Sequence, residues 1–139
     1  MKRFRNAVEA RDVEALEQSL APDVVFHSPV RFHAFEGRPT VGAVLRAVMR
    51  VLQDFHYTGE LHGGSDTALV FRAKVGELEL EGIDLGTVDP STDLVTHLTV
   101  FVRPLKAAQA LGAAVAKELG IALPSTSTST SGSGEGSAV

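Results

Sequence analysis

Residues 69–85 read Leu69-Val70-Phe71-Arg72-Ala73-Lys74-Val75-Gly76-Glu77-Leu78-Glu79-Leu80-Glu81-Gly82-Ile83-Asp84-Leu85. Leu69, Phe71, Ala73 and Val75 alternate with Val70, Arg72 and Lys74; Leu78 and Leu80 alternate with Glu77, Glu79 and Glu81. A period of two is that of a β-strand with one face buried, and Gly76 turns the chain between two such runs. The pattern predicts an antiparallel pair. Asp84 shares the parity of Leu78, Leu80, Gly82, Gly86 and Val88, so this carboxylate points to the core side while the glutamates point out. Burial disfavours the charged form and raises a carboxyl pKa, which makes Asp84 a candidate proton donor or acceptor near neutral pH. Two blander readings stay open: a buried Asp84 satisfied by a neighbouring hydroxyl or arginine, and a bulge at Gly82 that reverses the parity.

Working outward, strands dominate the middle of the chain. Phe55, Tyr57 and Leu61 alternate with His56, Thr58, Glu60 and His62, and Gly63-Gly64-Ser65-Asp66 is a turn signal. Asp89-Pro90-Ser91-Thr92 makes another turn, and residues 94–102 form a last strand. Helical patterns flank the block. A first helix covers about residues 2–10. Asp12 caps a second, with Val13, Leu16 and Leu20 on one stripe and Pro22 ending it. A short strand, residues 24–27, stops at Ser28-Pro29, and residues 31–37 read as a loop. Pro39 suits the first turn of a long helix whose Val41, Val44, Leu45, Val48 and Leu52 share one face. Pro104 opens a final helix, followed by Gly120. Consecutive antiparallel strands with segregated helices define an α+β fold.

The chain has 139 residues, enough for one domain with a short appendage. The composition changes at Pro124: 12 of the 15 residues from Ser125 to Val139 are Ser, Thr or Gly. We therefore divide the chain into a domain, 1–120, and a tail, 121–139, too poor in apolar side chains to fold. There are no cysteines, which excludes disulfides, thiolate zinc sites and a cysteine nucleophile. Net charge is −4. Residues 1–50 hold 8 Lys/Arg against 6 Asp/Glu, and residues 51–103 hold 3 against 9. Such a balance speaks against nucleic-acid binding. No apolar run approaches the about 20 residues of a membrane span, and no apolar stretch follows the basic residues 2–5, so neither a membrane segment nor a signal peptide is expected. The expected compartment is the cytoplasm.

Few other residues carry chemistry. His27, at the end of the first strand, is a near-neutral acid/base candidate; its parity opposes that of Val24 and Phe26 and turns it outward, unless a twist at Ser28-Pro29 brings it back to the pocket mouth. His56, His62 and His97 lie on polar faces, and no HExxH-type spacing exists, so no metal is expected. Gly63-Gly64 precedes no helix and Ser28 lacks a G-x-S-x-G context, which removes a phosphate loop and a hydrolase elbow. Ile83, Leu85, Thr99 and Phe101 share the outer sheet face. An exposed apolar face marks an interface, here expected to be a two-fold homodimer packed sheet to sheet; the alternative is cover by the last helix.

The segment Ala21-Pro22-Asp23-Val24-Val25-Phe26-His27-Ser28-Pro29, followed by Glu36-Gly37-Arg38 opening a long helix and then four strands, resembles the nuclear transport factor 2-like superfamily and most of all its SnoaL-like, polyketide-cyclase-like branch. The resemblance covers about residues 2–119. It implies a cone-shaped curved antiparallel sheet wrapped on a long helix, with an apolar pocket lined by Phe4, Val8, Leu16, Phe26, Val44, Val48, Tyr57, Phe71, Asp84, Leu98, Val100 and Val102. Dimers through the outer sheet face are also implied. Ketosteroid isomerases of the superfamily use a general-base aspartate, an oxyanion-hole tyrosine and an oxyanion-hole aspartate. Ser28, Phe4 and Asp84 stand at those positions, so only the last matches. Epoxide hydrolases place an arginine two residues before such an aspartate, where this chain has Gly82. Polyketide cyclases pair an aspartate with histidine help, for which Asp84 and His27 are the candidates.

Fold alone does not set activity. The expected function is binding of a hydrophobic small molecule in the cone. Two classes stay open: cofactor-independent proton transfer of cyclase or isomerase type, with Asp84 as acid/base, His27 assisting and Tyr57 as a second polar contact; or a non-catalytic ligand-binding or dimerisation module.

Overall fold

A computed structural model describes residues 1–121; apart from Ile121, the expected Ser/Thr/Gly-rich tail lies outside the described residues. The elements in chain order are α1 (Lys2–Ala10), α2 (Val13–Gln18), β1 (Leu20–His27), β2 (Phe35–Glu36), α3 (Arg38–Val51), β3 (Gln53–Gly63), β4 (Asp66–Val75), β5 (Leu78–Val88), β6 (Val95–Arg103) and α4 (Leu105–Leu119). The strands form one six-stranded sheet in the order β2-β1-β6-β5-β4-β3.

Local chemistry accounts for most boundaries. The Asp12 side chain accepts a hydrogen bond from the Ala15 amide and so caps α2. Pro39 sits in the first turn of α3, where no amide is needed. Gly120 ends α4 in the left-handed conformation that glycine adopts without strain.

Three expectations change. Pro22 does not end α2. The helix stops at Gln18, and Pro22 lies inside β1. It falls between Leu20 and Val25, where the β1–β6 register shifts, so its missing N–H interrupts no paired position. The predicted loop 31–37 contains the short strand β2. The sheet is not purely antiparallel, because β1 runs parallel to β6 while every other pair is antiparallel. That pairing joins elements far apart in the chain, and no local pattern announces it.

The inner sheet face holds the core. One cluster joins Phe4 and Leu16 to Phe26, Val41, Val44, Leu69 and Leu98. A second joins Phe71, Ala73, Val75 and Leu80 to Ala107 and Leu111 of α4. Because α4 packs on this face, it cannot cover the other one. Register irregularities in β1, β3 and at the end of the β5–β6 ladder add local twist and bend the strands.

Candidate functional site

Asp84 lies where the alternation of β5 puts it. It pairs with Leu69 on one side and Val100 on the other, and it is 7% exposed, whereas its neighbours Ile83 and Leu85 face outward. No bulge reverses the parity at Gly82, which pairs in register with Phe71 and Val102. Two glycines on the same face explain the depth of the burial. A Cβ at Gly82 would collide with the Phe71 ring and lie 2.6 Å from the Phe101 carbonyl oxygen; one at Gly86 would collide with the Met1 side chain. Phe71 and Met1 therefore fill the space on either side of the carboxylate. An arginine at position 82, as in the epoxide-hydrolase pattern, has no room.

The Asp84 partner is a hydroxyl from two strands away. Tyr57 on β3 donates from its OH to Asp84 Oδ2 at 3.1 Å. Burial pushes the Asp84 carboxyl up to about 7, and the Tyr57 hydrogen bond pulls it part of the way back. The Tyr57 phenol is raised far above its usual range, first by its own burial and then by the Asp84 charge, with Arg5 acting in the opposite sense. At neutral pH Asp84 is thus poised between acid and carboxylate, while Tyr57 stays a hydrogen-bond donor.

A bulge alters the far side of the site. The β3–β4 register shifts between Tyr57 and Gly59, and beyond it Glu60 pairs with Leu69, Leu61 with Ala68 and His62 with Thr67. Leu69 and Thr67 are buried on the inner face. Glu60 and His62, expected to point outward, therefore sit on the inner side at its rim, and Leu61, expected inward, is 62% exposed. Glu60 Oε1 accepts from Arg5 Nη1 of α1, and its Oε2 lies 2.6 Å from His62 Nε2. The other His62 ring nitrogen is 3.3 Å from the Thr67 hydroxyl. Arg5 also donates through Nε and Nη2 to Glu9 Oε2, both at 3.2 Å, and its guanidinium carbon lies 5.2 Å from the Tyr57 ring centroid. The Arg5 hydrogen bond holds Glu60 below the usual carboxylate range. Arg5, Glu9 and Glu60 were not among the expected site residues. The signal for Glu60 was Gly59, since a lone glycine within a strand pattern marks a bulge.

His27 does not join this group. It pairs with Thr99 of β6, which pairs in turn with Leu85 of β5. Paired residues in neighbouring strands share a face, so His27 stands on the outer face with Leu85, opposite Asp84. The Ser28-Pro29 turn does not bring it back, because His27 is still within β1 and exposed.

The expected lining divides by burial. Phe4, Leu16, Phe26, Val44, Phe71 and Leu98 are buried core residues. Val8, Val48, Tyr57, Val100 and Val102 are partly buried and pack against the core. The Ser28 hydroxyl is buried with no hydrogen-bond partner among the described residues. Among the described residues, no three His, Asp or Glu side chains are grouped to hold a metal ion, and no helix is long and apolar enough to cross a membrane.

The sequence profile of the SnoaL-like domain matches residues 1–103. The chain belongs to the SnoaL-like family. No curated protein matches it. A crystal structure of a steroid delta-isomerase from Pseudomonas aeruginosa is 35% identical, with a TM-score of 0.80 over 84% of this chain and 86% of that one. A crystal structure of an uncharacterised protein with a cystatin-like fold from Silicibacter pomeroyi is also 35% identical, with a TM-score of 0.80 over 85% and 83% of the two chains. A nuclear transport factor 2-like protein of unknown function from Cytophaga hutchinsonii shares the fold at 17% identity, with a TM-score of 0.58 over 73% and 85%. The SnoaL-like assignment and the α+β cone thus agree with the expectation drawn from residues 21–38 and the strands that follow.

Proposed function

We propose that this SnoaL-like protein binds a hydrophobic carbonyl compound on the inner face of its sheet and transfers a proton within it, without a metal or organic cofactor. The observation that carries the reading is the buried Asp84 carboxyl, held by the Tyr57 hydroxyl and poised at about 7. As a carboxylate, Asp84 takes a proton from a carbon beside the carbonyl. The electron pair moves into an enolate, and the protonated Asp84 then returns the proton to another carbon of the conjugated system, regenerating the carboxylate. Tyr57 stabilises the ionised form and orients it. The partly buried Val8, Val48, Val100 and Val102 supply apolar contact for the ligand. A similarity to a steroid delta-isomerase at 35% identity supports isomerisation of an unsaturated ketone as the first reaction to assay.

The test is a pH titration of Asp84 by carboxyl-carbon NMR, with Asp84→Asn as the assignment control, alongside conversion of a β,γ-unsaturated ketosteroid to its conjugated isomer followed by ultraviolet absorbance. A midpoint near 7 together with turnover lost in Asp84→Asn supports the proposal. A midpoint near the model-compound value of about 4 overturns it.

A second reading, a non-catalytic binding module, is favoured by one observation: Ser28 and Phe4 stand where the resembled isomerases have an acid and a donor. Under this reading Asp84 and Tyr57 only orient a polar group of the ligand, which native mass spectrometry of the purified protein would detect in the pocket. For assembly, we propose a two-fold homodimer through Leu61, Ile83, Leu85 and Phe101, all exposed on the outer face. The cysteine-free sequence suits the reducing cytoplasm, the compartment proposed here.

A further inference from the structure

The described molecule places one cation directly on the group that partners Asp84. Arg5 projects from α1, the first helix of the chain, onto the ring of Tyr57 from β3. Its position is determined from two sides. Glu9, one turn further along α1, accepts from Nε and Nη2, and Glu60, turned inward by the bulge at Gly59, accepts from Nη1. Glu60 is in turn held by His62, which is tied to Thr67 of β4. These are the charged and titratable groups that face Arg5 and Tyr57 from α1 and β3; from β5 the facing group is Asp84 itself.

We infer that Arg5 is a positioning residue: its guanidinium, braced between Glu9 and Glu60, pins the Tyr57 ring so that the phenol hydroxyl stays on Asp84 Oδ2. The physical reasons are two. A guanidinium over an aromatic face is attracted to the ring and restricts its rotation. The same positive charge draws density from the phenol and strengthens its O–H as a donor, which is the sense in which Arg5 opposes the rise of the Tyr57 phenol. Arg5 does not touch Asp84; its effect passes through Tyr57. The bulge at Gly59 thereby acquires a purpose, since without it Glu60 would face outward and Arg5 would lose its anchor on the sheet.

This inference rests on the reading of Asp84 as the proton carrier, but its test reads the titration of Asp84 directly and does not depend on finding a substrate. Asp84 carboxyl-carbon shifts are followed against pH in the full chain, in Arg5→Met, in Tyr57→Phe and in the double variant. Because the Tyr57 bond favours the ionised carboxylate, Tyr57→Phe raises the Asp84 midpoint. Arg5→Met is expected to raise it in the same direction and by no more than Tyr57→Phe does, and to add nothing in the Tyr57→Phe background. Arg5→Lys, which keeps a cation over the ring, restores part of the shift. An unchanged midpoint in Arg5→Met overturns the inference, as does a shift that persists undiminished in the Tyr57→Phe background, which would mean that Arg5 acts on Asp84 directly. If Arg5→Met does not fold, Glu60→Leu replaces it. That variant keeps Arg5 and its bond to Glu9 but removes the acceptor that ties it to the sheet, and the same two outcomes decide. A wild-type midpoint near about 4 would end the proton-carrier reading, while the differences between variants would still report on Arg5.

Discussion

Around Asp84, the two faces of the same sheet invert the ordinary distribution of residues. On β5 the inner position is a carboxylate, Asp84, at 7% exposure, and the outer positions beside it are Ile83 at 36% and Leu85 at 40%. An isolated buried carboxylate costs free energy, and exposed apolar side chains forgo it. The inner face offsets its cost with one hydrogen bond from Tyr57 and a wall of Phe71 and Met1. The outer face, bearing Leu61, Ile83, Leu85 and Phe101, has no covering element among the described residues, because α4 packs inside with Leu80 and Phe71. The contrast teaches that this sheet buries an acid on one side and leaves apolar side chains uncovered on the other, the two features on which the proposed proton transfer and the proposed homodimer rest.

The sharpest way to break the comparison is Asp84→Asn. It keeps the volume and removes the titrating proton. Turnover of a carbonyl substrate should fall at least ~100-fold with the amide fingerprint intact, the scale of a lost general acid/base; unchanged turnover would make the inner face a binding surface only.

The same variant exposes the energetic cost of the inner face. The folded-state value for Asp84, about 7, lies above the ordinary aspartate value of 3.8. The folded protein therefore holds this proton where the unfolded chain has released it. The associated stability is present below about pH 4 and is lost as pH rises toward about 7. Denaturant titrations should show wild-type stability declining across that window by on the order of 2–4 kcal/mol relative to Asp84→Asn. Parallel profiles for the two proteins would place the carboxylate in contact with water.

On the outer face, Phe101→Glu puts a charge within the apolar patch and should weaken the proposed homodimer by at least about tenfold, read by light scattering after size exclusion over a range of concentrations. A dimer of undiminished affinity would move the interface elsewhere. The smallest effect belongs to His27→Ala. As an exposed outer-face residue it should alter stability by less than about 0.5 kcal/mol and leave the Asp84 titration where it was. A displaced Asp84 midpoint would contradict the separation of the two faces.

Much of this is legible in the sequence. Asp12 announced the start of α2, Pro39 the first turn of α3, and the alternation from Leu78 onward put Asp84 inside. Val24 to Pro29 with Glu36 to Arg38 pointed to the family that the profile over residues 1–103 shows. These signals are local: a cap, a missing amide or a period of two is decided within a few residues. His27 shows the limit from the other direction. Its parity pointed outward, and the register with Thr99 keeps it there, so it never meets Asp84.

By itself, the sequence determined which side of each strand is apolar, where the helices begin and that a lone acid faces inward, because backbone geometry imposes those periods on any chain. Only the tertiary structure decided which groups meet. The bond from Tyr57 to Asp84 spans two strand pairings, the Gly59 bulge re-aims Glu60, and Arg5 reaches that glutamate across 55 residues of chain. Such meetings depend on strand order and register, and these follow from the packing of the whole core rather than from any short stretch of residues.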